Sequence, residues 1–139
     1  MTVDKVSSAQ LKRIQKALGT VPFAKLLGLE LEDIGGGTAT LALQVRKELT
    51  QNAGVVHGGA LASLIDTATA FAILSLLPPK ERVTTVDLTI SYLRPVSKGR
   101  LRAVAKVVRA GRRLFVVSAE VIDENGNLVN TALSTYIKV

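Results

Sequence analysis

A chain of 139 residues with 47% apolar content is long enough to enclose one core and too short for two domains of ordinary size. A charged fraction of 21% without low-complexity runs excludes a disordered protein, and the absence of cysteine excludes thiol nucleophiles, disulfides and thiolate metal sites. The formal net charge of +7 suits an anionic partner without choosing among a phosphorylated small molecule, nucleic acid and an acidic membrane surface.

Residues 1–11 lack the apolar segment of a secretory signal, so a cytoplasmic location is expected. Ser7 or Ser8 can cap a helix reaching Leu18, with Leu11, Ile14 and Leu18 on one stripe, and Gly19 ends it. A helical turn follows Pro22, and residues 28–34 read as a first strand closed by the triple glycine at 35–37. From Ala39, the alternation of Leu41, Leu43 and Val45 predicts a half-buried second strand.

A long helix begins near Gly58 and must stop before Pro78-Pro79. It is apolar nearly all round and is expected to be enclosed, while Asp66, Ser63, Thr67, Thr69 and Ser75 within it argue against a membrane span. Val86, Leu88, Ile90 and Tyr92 then alternate with Thr85, Asp87, Thr89 and Ser91 in a strand that Pro95 ends. On this alternation Asp87 faces the same way as Thr85 and is expected to pair with a basic neighbour. Strands over 100–109 and 112–123 flank Ala110-Gly111, and a last one over 128–139 follows Glu124-Asn125-Gly126, a two-residue hairpin signal. This order predicts a single α+β domain over residues 1–139. A four-stranded antiparallel meander follows the long helix, and one curved sheet wraps that helix.

Elimination narrows the chemistry. One histidine and no cysteine rule out a two-histidine zinc motif, so no metal is expected, and no redox cofactor either. A serine triad could use only His57, and no Gly-x-Ser-x-Gly elbow exists. The triple glycine lacks the Lys of a P-loop and precedes a strand. What remains is Asp66, a carboxylate costly on an apolar helix unless it is bonded, and the mouth of that helix. There the Gly58 N–H can hold a developing oxyanion, and glycines at 58 and 59 let a substrate approach the backbone. Asp66 can act as nucleophile or as a base for water.

Gly58 and Asp66 are eight residues apart. At helical rise that is roughly 12 Å along the axis, so one helix cannot put both on one carbonyl. Two copies with antiparallel helices can, giving two equivalent sites per two-fold dimer.

Residues 52–72, with His57-Gly58-Gly59 and Asp66 nine positions after the histidine, together with Val86-Asp87 and Tyr92-Leu93-Arg94-Pro95, resemble the hotdog-fold acyl-CoA thioesterases of the phenylacetate-pathway (PaaI-like) group. The resemblance covers residues 28–139 and leaves 1–27 as an N-terminal helical extension. It implies a hotdog fold, an acyl-CoA substrate, and either a homodimer or a dimer of dimers (a homotetramer), with sites shared between subunits. It further implies Asp66 as the catalytic carboxylate, Gly58 as the oxyanion donor, and His57 orienting the turn and the thioester carbonyl. The resemblance implies too that Thr85 helps to place the attacking water. Relatives carry an Asn six residues before the His, a slot occupied here by Gln51; Asn52 lies five before and is the candidate amide, with Gln51 the alternative.

Arg94, Lys98, Arg100, Arg112 and Arg113 are candidates for the coenzyme A phosphates. A nucleic-acid partner lacks the interleaved aromatic residues it would need, and no membrane partner is expected. The rival readings are a non-catalytic acyl-CoA sensor and a hydroxyacyl-thioester dehydratase in which His57 would be the base.

Overall fold

The computed structural model describes residues 6–139; residues 1–5, where the stretch read for a secretory signal begins, lie outside them. Ser7 opens helix α1 (Ser8–Gly19) through a capping box, its hydroxyl accepting the Gln10 N–H at 3.2 Å while the Gln10 side chain accepts the Ser7 N–H at 2.9 Å. The helix ends at Gly19, its last helical residue, and Thr20 closes the turn by donating its hydroxyl to the Ala17 carbonyl. Pro22, whose fixed φ suits a first helical position, starts α2 (Pro22–Leu27). The Leu29 N–H completes that helix by bonding to Ala24, so strand β1 (Glu30–Gly35) starts later than its sequence pattern suggests.

There follow β2 (Thr38–Gln44), a 3-10 turn (Lys47–Leu49), the long helix α3 (Gly58–Leu74), β3 (Val83–Tyr92), β4 (Arg100–Ala110), β5 (Leu114–Ile122) and β6 (Leu128–Lys138). The strands form one six-stranded antiparallel sheet in the order β1-β2-β4-β5-β6-β3. The expected four-stranded meander is therefore wrong in one member. Only β4, β5 and β6 follow one another, while β3 pairs with β6 at the far edge and β4 with β2. Residues 93–99, stiffened by Pro95, run across the end of the sheet instead of folding back, and the Val96 carbonyl accepts the Val56 N–H on the way.

The β5–β6 turn is also longer than a two-residue hairpin. Asp123 and Asn127 close a three-residue loop, the Asp123 carboxylate accepts both the Asn125 and Asn127 N–H groups, and Gly126 takes φ 80°.

Helix α3 lies in the concave face of the sheet. Leu61, Leu64, Ile65, Ala68, Ala72 and Ile73 meet Leu41, Leu43, Leu101, Ala103, Ala105, Val117 and Val121, and the alanines let helix and sheet approach closely. The expected enclosure holds on this side only. Ser63, Asp66, Thr67, Ala70 and Phe71 are half-buried and Gly59 and Leu74 exposed, because a sheet curving round one side of a helix leaves the other to solvent or to another chain. No described helix is long and apolar enough to cross a membrane.

Of the four register shifts in the sheet, those in the two edge strands reset which face the side chains near the site and the β1 ion pairs take. In β3 the register slips between Thr85 and Asp87, so Thr85 aligns with buried Tyr136 and Asp87 with Thr135. Thr85 and Asp87 thus point to opposite faces, contrary to the unbroken alternation, and Asp87 makes no ion pair among the described residues. In β1 the slip between Leu31 and Asp33 lets Leu31 and Ile34 both enter the core. Glu32, the extra residue, meets Arg102 Nε at 2.6 Å and an Arg100 guanidinium nitrogen at 3.2 Å.

Burial pushes the Glu32 carboxyl up, but the hydrogen bonds from Arg102 and Arg100 outweigh it and hold the group below its ordinary value. A carboxylate whose pKa falls on folding adds stability above its unfolded pKa of about 4.3, and this is lost as pH drops through the folded value. Glu32→Gln is therefore expected to lower the thermal midpoint at neutral pH, with the deficit shrinking once the pH falls below the ordinary glutamate range. A deficit that stays constant through acid titration would contradict this role.

Candidate functional site

His57 caps α3 from an extended backbone (φ −66°, ψ 135°), its Nδ1 accepting the Gly59 N–H at 2.8 Å and its carbonyl accepting the Ala60 N–H at 2.9 Å. Of the first three N–H groups of the helix, only that of Gly58 has no hydrogen bond among the described residues. Because Nδ1 is the acceptor, the neutral ring carries its proton on Nε2, a second donor at the helix mouth. The glycines have a tighter reason to be there than substrate access alone. A β-carbon at 59 would lie 2.9 Å from His57 Nδ1, and one at 58 would lie 3.2 Å from Tyr92 Cε1. The Tyr92 hydroxyl donates to the Gly58 carbonyl at 3.0 Å and so fixes that peptide.

A cleft of about 300 Å³ opens here, lined by Gly58, Gln51, Leu61, Tyr92 and Arg94 among others. Gln51 forms part of its wall, with its Oε1 accepting the Ala53 N–H at 3.3 Å. Asn52 lies exposed in the adjoining turn and does not line the cleft.

Asp66 lines a different cleft, of about 320 Å³, with Thr85, Tyr136, Leu18, Val21, Phe71 and Val83. Its Oδ1 accepts the Thr85 hydroxyl at 2.9 Å and lies 3.0 Å from the Tyr136 hydroxyl. Its Oδ2 has no hydrogen bond among the described residues. The Tyr136 hydroxyl also lies 2.7 Å from the Asp66 carbonyl and 2.8 Å from Thr69 Oγ1, which in turn donates into the carbonyls of Ile65 and Asp66. Burial, together with the nearby Asp66 charge, pushes the Tyr136 phenol up to about 12 in spite of its hydrogen bonds to Thr69 and Thr85, so it stays a donor throughout the ordinary pH range. Tyr136 is the site residue that sequence reasoning missed. Strand alternation places it on the inner face of β6, but only the β3–β6 register brings it to Asp66.

The two clefts share no lining residue, as the helical separation of Gly58 from Asp66 requires. A larger cleft of about 400 Å³ lies elsewhere on the sheet, with Lys106 and Glu120 in its wall, and touches none of these groups. Among the described residues no cluster of three or more His, Cys, Asp or Glu could hold a metal ion.

The basic candidates divide. Arg94 and Lys98 are exposed near the Gly58 end, beside Asp123 and Glu124. Arg112 and Arg113 are exposed in the β4–β5 turn at the opposite end of the sheet, where the Arg113 carbonyl accepts the Lys138 N–H. The Arg100 guanidinium is already bonded to Glu30 and Glu32, which raise its pKa further against a smaller opposing effect of burial.

Residues 53–130 match the family described as the Thioesterase superfamily. The medium/long-chain acyl-CoA thioesterase YigI of Salmonella typhimurium is 31% identical over 132 residues, covering 84% of this chain and 85% of that one. The structure of conserved protein PA5202 from Pseudomonas aeruginosa is 34% identical, with a TM-score of 0.85 over 89% of this chain and 98% of its own. A mutant of the phenylacetic acid degradation protein PaaI from Thermus thermophilus is 31% identical, with a TM-score of 0.78 over 85% of this chain and 99% of its own.

The contact between position 59 and the His57 ring makes a substitution pair change sign. Gly59→Ala in the native background should cost about 1 kcal/mol, because the cap is displaced. In a His57→Ala background the same change should be neutral or stabilising by up to about 1 kcal/mol, the helix preference for alanine over glycine. Denaturant unfolding of the four proteins reads the cycle; equal costs in both backgrounds would show that the ring does not seat on Gly59.

Proposed function

This chain belongs to the thioesterase superfamily and has its hotdog architecture, and we propose that it hydrolyses an acyl- or aryl-CoA thioester to the carboxylic acid and free coenzyme A. The observation that carries this reading is Asp66, one carboxylate oxygen bonded by Thr85 and near the Tyr136 hydroxyl and the other without a hydrogen bond among the described residues, on a cleft with apolar walls. Asp66 attacks the thioester carbon, or removes a proton from the water that does. The oxyanion is received by the Gly58 N–H, aided by the helix dipole and by His57 Nε2–H. Collapse expels the thiolate: after attack by water it takes up the proton that Asp66 removed and the carboxylic acid is left, whereas after direct attack it takes a proton from solvent and water then cleaves the acyl–Asp66 anhydride to the acid and restores the carboxylate. Gln51, in the wall of the Gly58 cleft, is better placed than Asn52 to meet the carbonyl side of the substrate.

Each reaction then needs the Gly58 half of one copy and the Asp66 half of another. Two features support such a pairing: the stripe of α3 that the sheet leaves uncovered, and the ten-residue edge strand β3, hydrogen-bonded on one side only. Cations stand at both ends of that arrangement, Arg94 and Lys98 near Gly58 and Arg112 and Arg113 at the other end of the sheet, available for the coenzyme A phosphates. No cofactor beyond the substrate enters this scheme, and its setting is the cytoplasm.

Asp66→Asn is expected to lose nearly all thiol release from acyl-CoA. Gly58→Pro should also be inactive, because proline removes the N–H at a first helical position where its backbone is otherwise accepted and the preceding residue is already extended. Mixing the two inactive proteins, after dissociation and reassociation, should restore activity, since each mixed dimer holds one intact site. Failure to regain activity from a verified mixture would count against a shared site. Separately, Tyr136→Phe should reduce kcat about tenfold or more with little change in KM, as expected for losing a hydrogen bond to a charged group; steady-state kinetics with unchanged kcat would remove Tyr136 from the mechanism.

A further inference from the structure

The cleft that holds Asp66 has a wall lying outside the matched family segment: Leu18 and Val21, from the corner between α1 and α2. This corner is fixed. Leu18 is 2% exposed, the Val21 N–H donates to the Leu18 carbonyl at 3.1 Å, and the Val21 carbonyl accepts the Lys25 N–H at 2.9 Å. Both helices are pinned to the sheet region as well. The Gln15 amide donates to the Leu31 carbonyl at 2.9 Å, and the Arg46 guanidinium donates to the carbonyls of Leu26 and Leu27. Val21 nevertheless remains 45% exposed, an aliphatic side chain at the rim of a cleft whose polar end is the acid.

The remaining walls are Ala70, Phe71, Val83 and the exposed Thr84, and the Thr67 hydroxyl is turned back onto the Ser63 carbonyl at 2.7 Å. A hydroxylated or charged tail would lose hydration along such a surface without recovering hydrogen bonds. A hydrocarbon tail gains by burial. The volume of about 320 Å³ lies at the small end of ligand cavities, which start near 300 Å³.

We infer that the α1–α2 corner selects the acyl chain: a saturated hydrocarbon tail of short to medium length runs from Asp66 along Leu18 and Phe71, and Val21 gauges its far end. This rests on the thioesterase reading above. It makes Val21 a specificity-determining residue supplied by the N-terminal extension.

Val21 is open enough to replace in both directions. For the native protein, Val21→Trp and Val21→Ala, kcat/KM is measured by thiol release across saturated acyl-CoA substrates from acetyl to palmitoyl, and with phenylacetyl-CoA. The optimum should move to shorter chains with tryptophan and to longer chains with alanine. The ratio of long- to short-chain rates should change about fourfold for each methylene that loses or gains contact. Thermal unfolding of the three proteins, followed by circular dichroism, should give closely similar midpoints and so report intact folding. Identical length profiles in all three proteins would overturn the role of the corner, and cleavage of the aryl substrate alone would overturn the hydrocarbon tail, both leaving the thioesterase reading in place. No thiol release from any substrate by the native protein would overturn that reading, and this inference with it.

Discussion

A helix laid in the hollow of a single sheet can be covered on one side only, and the rest of this molecule follows from that constraint. The covered side of α3 is apolar from Leu61 through Ile73 except for Thr69, whose buried hydroxyl is bonded to the Ile65 and Asp66 carbonyls and lies 2.8 Å from the Tyr136 hydroxyl. Polar residues without such bonds to the fold's interior are tolerable only along the open stripe and its borders, where Ser63, Asp66 and Thr67 lie. Asp66 occupies a border position. Its Oδ1 reaches back to the sheet for Thr85 and Tyr136, while the residue as a whole still opens onto a cleft.

The sheet contributes more than a floor. Strand β3 carries Thr85 on the inner face only because the chain takes an extra residue at Val86, and the same bulge keeps Leu88 and Ile90 half-buried against the core. At the other edge, the bulge at Glu32 performs the same correction for Leu31 and Ile34 and leaves a carboxylate where it can neutralise Arg100 and Arg102. In each strand a local irregularity reconciles a core face with a polar contact.

Features carried by neighbouring residues were legible in the sequence: the capped helix after Ser7, the alternation of β2, the start of α3 at His57-Gly58-Gly59, and the strained position of Asp66. Features set by pairing across the chain were not. Nothing near Tyr136 marks it as a partner of a residue 70 positions away. Nor does the alternation of β3 tell that it joins β6 instead of β4, or that a bulge will turn Asp87 away from Thr85. Charge was misleading for a related reason: five basic residues close together in sequence are distributed over two ends of a sheet, and Arg100 is bonded to acids from β1. Periodicity reports which face a residue takes within its own element, while register, which decides what that face meets, is written in no single segment.

The two borders of the sheet are unlike. Strand β1 is short, bulged, and has its Leu31 carbonyl occupied by the Gln15 side chain. Strand β3 is longer, and apart from its own bulge at Val86 its outer side is unpaired among the described residues. A sheet with one receptive border and one blunted border has a built-in stopping rule. Were two copies to join through β3, the continuous sheet they form would present only β1 at either end, and growth would cease at two. The short length and the glutamine that look like details of a peripheral strand would then be what separates a finite assembly from an open-ended one.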